Sequence, residues 1–304
     1  MKSISTLLFL IVLSMNLTGL ACSSNEPVLT GDDKVIAEKS FQAVPGGYLD
    51  VSMTLGNIKI NNWDKNEVKF VVYGNDKTKE NFDFEMSNSG DKYILKMTPK
   101  SQSNKNYKNY SASVEVYIPR IFNSEAKTAG GNIEIGDATG SVSLVTAGGN
   151  VKLGAITGSV DVKTAGGDII ANKTYGSINL KTSGGNIIVK DSEGDLSLST
   201  AGGNISINAK NGVVNAATSG GNVDLTYTGD NKGINLTTSG GNVKAKLPAG
   251  IKGSINIRTA SGKVDCDLPV EGMKKSETSL SGNLNGGGKE IRLTSSGGDV
   301  TIVK

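Results

Sequence analysis

The sequence predicts an all-β protein whose body is a parallel β-solenoid (a β-helix), one chain wound in coils of 18 residues with two short strands per coil. Three observations predict it. One unit, Thr128-Ala129-Gly130-Gly131-Asn132-Ile133-Glu134-Ile135, a turn, then Gly140-Ser141-Val142-Ser143-Leu144, restarts at Thr146, Thr164, Thr182, Thr200 and Thr218, always 18 residues on. Within it apolar residues alternate, as Ile133 and Ile135 and then Val142 and Leu144, which is the pattern of strands with one buried face. Glycines recur at the corners, Gly130-Gly131 at one and Gly140 at the other, where a sharp bend is expected to use positive φ.

Looser copies begin at Thr238, Thr259, Ser279 and Ser295 and bring the count to ten units. A repeat of 18 has no three-residue period, which excludes collagen. A left-handed hexapeptide helix also gives 18 per coil, but it needs three similar steps where this unit has two unequal halves. Right-handed coiling is the default, from the crossover preference of parallel strands. A lone coil leaves both its faces bare, so the units must stack. At ~4.8 Å per coil, ten coils make a rod roughly 48 Å long.

In chain order, residues 1–21 read as a bacterial export signal: Lys2, an apolar run from Leu7 to Leu13, then Gly19-Leu20-Ala21-Cys22. The run is too short to span a membrane. Cys22 is expected to be the lipidated first residue, which makes the membrane a partner and places the protein in the bacterial cell envelope, at the outer membrane or cell surface. Such signals usually carry Leu where Gly19 stands, and Gly19-x-Ala21 also fits ordinary cleavage. Residues 22–32 form a polar tether that cannot pack. Residues 33–127 are a β-rich N-terminal cap or irregular first coils, with strands expected at 48–53, 57–61, 67–73, 82–86, 93–98 and 112–119 and turns at Pro45-Gly46-Gly47, Gly74-Asn75-Asp76 and Ser89-Gly90-Asp91. A cap is needed because a solenoid end is an unpaired strand layer. Residues 128–304 are the regular solenoid. Val300 and Ile302 run straight to Lys304, so the last coil is expected to be uncapped. Lys289, Glu290, Arg292 and Lys304 would then discourage end-on stacking, or the end would serve as a homodimer contact.

The ordered series Pro45-Gly46-Gly47-Tyr48-Leu49-Asp50-Val51, Gly56-Asn57-Ile58-Lys59-Ile60, Trp63-Asp64-Lys65-Asn66-Glu67-Val68 and Val116-Tyr117-Ile118-Pro119-Arg120, leading into Thr-Ala-Gly-Gly-Asn-Ile repeats, resembles the bacterial DUF4097 family of candidate adhesins. The resemblance covers roughly Phe41 to Lys304. It implies a β-solenoid at the cell surface or in the periplasm, without assigned catalysis and without functional residues to transfer.

The chain of 304 residues has no histidine, which removes His-based triads, His metal sites and the commonest general base. A net charge of +3, with no clustered basic face in the repeats, argues against nucleic acid. Asp265 and Asp267 should project outward about 7 Å apart, within the range of an inverting glycosidase pair. Between them Cys266 should point inward as a small buried residue with no disulfide partner. Asp191, Glu193 and Asp195 share a turn that could offer oxygen ligands to Ca²⁺, but serines replace Asp195 in neighbouring coils, so no metal and no cofactor is expected. Asn132, Asn150, Asp168, Asn186, Asn204, Asn222 and Asn242 recur before the first strand and are expected to form a ladder that satisfies turn backbone. Lys105, Tyr107, Lys108 and Tyr110 interleave base and aromatic in a Ser/Asn-rich loop that could touch a polysaccharide or a strand of nucleic acid.

The candidate ligand-facing strip is the outward column of the second strand: Ser143, Asp161, Asn179, Ser197, Asn215, Asn235 and Asn256. Every member is short and hydrogen-bonding, whereas the first strand's outward column is mixed. The favoured reading is a non-enzymatic, lipid-anchored extracytoplasmic β-solenoid, an adhesin or envelope binding module for a glycan or surface protein. Two alternatives stand beside it: a carboxylate-dependent polysaccharide-degrading β-helix enzyme using Asp265 and Asp267, and an envelope scaffold or stress sensor that docks a partner on its C-terminal coil.

Overall fold

The computed structural model describes residues 33–101 and 109–304. The export signal, Cys22 and the tether lie outside the described residues, as do Lys105, Tyr107 and Lys108. The described residues form an all-β structure of 28 strands with one short helix, Asp76–Asn81. Parallel strands stack into two sheets, and each coil contributes one strand to each sheet.

The alternation read from the repeat becomes the register of the stack. In the second-strand sheet Val142, Val160, Ile178, Leu196 and Val214 lie directly above one another. In the first-strand sheet Val151, Ile169, Ile187, Ile205 and Val223 do the same, and both columns are buried. The first strand is longer than the repeat suggested. It bends and continues, for example as Val151–Thr157, so that a third inward column forms from Ala138, Ile156, Thr174, Ser192, Ala209 and Tyr227. Its polar members pair inside the bore: the Thr174 hydroxyl donates to Ser192 Oγ at 3.1 Å, and Tyr227 Oη donates to the Gly212 carbonyl at 2.8 Å.

The corner before each first strand is the most regular feature. The hydroxyls of Thr146, Thr164, Thr182, Thr200 and Thr218 are buried, and each donates at 2.7–2.9 Å to the second-glycine carbonyl of the coil before. Each also accepts, at 3.3 Å, the N–H of the second glycine in its own turn. That glycine is required by proximity, which corrects the expectation of positive φ at Gly130-Gly131. A Cβ added at Gly185 would sit 2.0 Å from the Gly167 carbonyl oxygen, whereas one at Gly184 would meet nothing nearer than 3.5 Å. The opposite corner does use the left-handed region, as at Gly158 with φ +141°. The asparagine column forms its ladder: the side-chain oxygens of Asn132, Asn150, Asp168, Asn186 and Asn204 each accept the N–H of the matching residue one coil on, at 2.7–2.8 Å.

Both ends of the stack depart from chain order. At the N-terminal end, parallel layering already includes Tyr48–Met53 with Asn57–Trp63, and outside them Lys92–Pro99 with Ala112–Pro119. Antiparallel strands Lys34–Gln42 and Glu67–Gly74 close one sheet and Phe82–Ser89 the other. Large aromatics fill the bore here. Phe41, Phe70, Tyr93 and Phe122 meet at ring distances of 5.5–6.4 Å, and the buried Tyr93 hydroxyl donates to the Gln42 carbonyl.

At the C-terminal end the expectation of an uncapped last coil is corrected. Glu290–Ser295 pairs with Ile234–Thr238 on one side and Gly253–Arg258 on the other, and Val300–Val303 lies between Val243–Lys246 and Val264–Cys266. The final repeat is thus slotted inside the stack. The corner bonds follow the spatial order: Ser295 Oγ donates to the Gly241 carbonyl and Thr259 Oγ1 to the Gly298 carbonyl. An antiparallel hairpin, Glu271–Lys275 with Ser279–Leu284, covers Gly253–Arg258. The physical reason is pairing: Gly253–Arg258 is paired by the hairpin on its outer edge only, and the final repeat fills the layer between its inner edge and Ile234–Thr238.

Gly185→Ala is expected to destabilise the protein by about 3 kcal/mol through backbone overpacking. Gly184→Ala, one residue away, should stay within about 0.5 kcal/mol. Urea unfolding of the two variants checks this, and similar midpoints would contradict the stacking account.

Candidate functional site

The outer face of the second-strand sheet is set by the same register. Ser143, Asp161, Asn179, Ser197, Asn215 and Asn235 are direct neighbours in successive strands. Each follows a buried aliphatic, so the pleat turns it outward. Ser143, Asp161 and Asn179 are half-buried, and Ser197, Asn215 and Asn235 are exposed.

Asn256 does not adjoin Asn235. Arg292 stands between them, paired with both, because Glu290–Ser295 is intercalated there. The Arg292 guanidinium donates to both carboxylate oxygens of Glu290 at 3.0 and 3.2 Å. Asn256 Nδ2 reaches the same Glu290 carboxylate at 3.4 Å. Sequence reasoning recognised this segment as a repeat but gave it the wrong neighbours. The SSGGD signature of Ser295 to Asp299 marks its coil, while its layer is marked by nothing local.

The large side chains of Glu290 and Arg292 rise beside small neighbours at Gly233 and Asn235, and the step encloses an open hollow of about 600 Å³. Asn215, Asn235, Thr237 and Thr294 line it with them. A second hollow of about 350 Å³ adjoins it through Asn215 and is lined by Asn179, Asp195 and Ser197. Together they form a shallow groove along the rod.

Bonding along the column is uneven. Asn179 Nδ2 donates to Asp161 Oδ1 at 2.5 Å, and Lys163 Nζ pairs with Asp161 Oδ2 at 2.7 Å. Burial pushes the Asp161 carboxyl upward, but the hydrogen bonds from Lys163 and Asn179, with the lysine charges, outweigh it and hold it below the usual carboxylate range. Ser143, Ser197, Asn215 and Asn235 make no side-chain hydrogen bond among the described residues. Toward the N-terminal cap the column turns ionic. Tyr48 Oη donates to Glu125, which also pairs with Lys127, and Lys92 pairs with Asp50 at 2.7 Å.

The other sequence candidates separate. Asp265 is exposed, and Lys275 sits at 3.2 Å; that hydrogen bond first, then one from the Cys266 backbone, holds its carboxyl below the usual range. A general acid needs the opposite shift. Cys266 packs half-buried against the core, and burial raises its thiol. Asp191 pairs with Lys173, Glu193 with Lys210, and Asp195 accepts the Val213 N–H, so the three carboxylates serve different partners. Tyr110 packs edge-on against Phe82 at 5.5 Å.

Comparison with known proteins gives a family. The model of the family described as Toastrack DUF4097 matches residues 49–303. No curated protein matches the chain. Among solved structures, a candidate adhesin from Bacteroides fragilis is similar at 16% identity and TM-score 0.48, over 88% of this chain and 96% of its own. A candidate adhesin from Parabacteroides distasonis is similar at 15% identity and TM-score 0.46, over 90% and 98%. A protein described as a candidate lipid-binding protein, also from Parabacteroides distasonis, is similar at 14% identity and TM-score 0.44, over 90% and 98%.

The ionic end of the column titrates in a defined direction. The hydrogen bond to Glu125 first, then burial and the carboxylate charge, push the Tyr48 phenol up to about 12. A raised folded value means that this contact stabilises the fold fully below the unfolded phenol's range near 10 and is lost as pH rises through about 12. Glu125→Gln should bring the Tyr48 titration back toward 10, read as the phenolate difference spectrum between variant and wild type. An unchanged difference titration would contradict the assignment.

Proposed function

The chain belongs to the Toastrack DUF4097 family, and on that premise we propose that it is a non-enzymatic, lipid-anchored binding module of the bacterial cell envelope, an adhesin in the broad sense. Its ligand face is the outer surface of the second-strand sheet, from Ser143 to Asn235, and it ends against Arg292. One observation carries this reading. A shallow groove runs along the second-strand sheet, and on its floor the Asn215 and Asn235 amides and the Ser197 hydroxyl make no side-chain hydrogen bond within the described residues. Amides stacked for stability alone bond one another or the backbone, as the Asn132-to-Asn242 ladder does. Those of Asn215 and Asn235 do neither, while Asn179 bonds Asp161.

Catalysis is not favoured. There is no histidine in the sequence, and of the candidate pair Asp265 and Asp267 the first is tied to Lys275, which holds its carboxyl below the usual range. Docking on the final repeat is not favoured either, since that repeat is internal and a hairpin covers Gly253–Arg258 of the coil outside it. The lipid anchor at Cys22 follows from the export signal and its cysteine.

Two experiments test the proposal. Expressed in a bacterial host, the full chain should take up labelled palmitate and fractionate with membranes, and Cys22→Ala should abolish both; a labelled Cys22→Ala protein would remove the anchor. Replacing Asn179, Asn215 and Asn235 together by Lys should cut binding to isolated bacterial envelopes by roughly tenfold, the equivalent of two or three hydrogen bonds. Retained binding would discard the strip.

A further inference from the structure

We infer that the groove binds an extended, uncharged glycan, lying along the rod axis with about one sugar ring per coil. The inference rests on the reading of this face as the ligand surface and names its ligand.

The first argument is what the face lacks. Strand addition recognises a peptide through free backbone N–H and C=O groups at a sheet edge. Here those groups are spent in the parallel ladders, for Leu196 through Thr238 as elsewhere along the stack. Only side chains are free to bind, and the groove floor offers no aromatic platform for stacked bases.

The second argument is charge. Two ion pairs close beside the groove, Asp161 with Lys163 and Glu290 by the two-pronged contact from Arg292, and Lys181 on the same face adds one positive charge. Asp195 and Lys289 add one charge of each sign. A single net positive charge is too weak to hold a polyanion, and a polycation finds no attraction. The complementary ligand is neutral.

The third argument is spacing and chemistry. The column presents one short polar side chain per coil at ~4.8 Å intervals, a repeat close to the span of one pyranose ring in an extended chain. Asn215 and Asn235 each carry both a donor and an acceptor, and Ser197 does the same through its hydroxyl. A ligand that is dense in hydroxyls, each also donor and acceptor, can satisfy every one of them. The floor runs through six adjacent layers, from Val160–Thr164 to Glu290–Ser295, or roughly 24 Å. Arg292 and Glu290 close that end as a wall.

The test uses the full chain and oligosaccharides of defined length. Cello- and chito-oligomers of two, four and six units are titrated by calorimetry, with a hexagalacturonate as the charged control and an extended proline-rich peptide as the peptide control. Affinity for at least one neutral series should rise with each added pair of sugars up to the hexamer. Asn215→Ala with Asn235→Ala should weaken the hexamer roughly tenfold while unfolding at the same urea midpoint. Preference for the charged hexamer or the peptide, or affinity that ignores length, would overturn the inference. If no neutral glycan binds but the triple lysine variant still loses envelope binding, the glycan inference falls and the binding face stands. If envelope binding also survives the lysines, both fall.

Discussion

The structure depends on the contact between one corner and the next. A threonine hydroxyl reaches back to a glycine carbonyl in the coil below and accepts an N–H from its own turn, so one small side chain ties two layers together. The contact is possible because the facing glycine has no Cβ to hold the backbones apart. An asparagine side chain beside it bonds the next layer's N–H. With buried turn groups paired in this way, the layers are held at the spacing of a β-ladder and cannot slip by one residue without orphaning a whole corner.

That fixed register turns a repeat into a surface. Aliphatics at two positions per strand fill the bore, and the residue between them is forced outward at the same height in every coil. A modest preference for short polar residues at one position therefore becomes a continuous line of amides and hydroxyls. The same strands on the opposite sheet present Glu134, Lys152, Ile170, Ile188 and Ser206, a mixture that forms no comparable line. Function, in this reading, lies in the regularity of the stack.

The two ends solve one problem by the same means. A solenoid end exposes unpaired strands and an open bore. Here the chain leaves the stack, builds antiparallel strands over the last layer, and returns to fill a layer it had skipped. At the N-terminal end the filler is Ala112–Pro119, which lies between Asn57–Trp63 and the antiparallel Glu67–Gly74. At the C-terminal end it is the final repeat. The return has a consequence on the outer face, because it brings Arg292 and Glu290 into the polar column and gives the groove its wall.

Much of this was legible in the sequence. The 18-residue restart from Thr128 and the alternation of Ile133 with Ile135 were enough to determine the parallel stack, the inward columns and the asparagine ladder, because each depends only on residues within one coil and their copies one period away. The roles of the corner glycines were read less well. At Gly149 and its copies through Gly221 the constraint is a carbonyl 18 residues distant, and at Gly131 it is that of Gly56, so no rule about local φ reveals it. The third inward column was hidden because Thr174 and Ser192 are polar and their burial is satisfied only by each other. Layer order at the ends was decided by tertiary structure alone. Sequence similarity marks Ser295 to Val303 as a coil, but which two coils it separates depends on where the Glu271–Leu284 hairpin leaves unpaired backbone, and that is a property of the assembled stack.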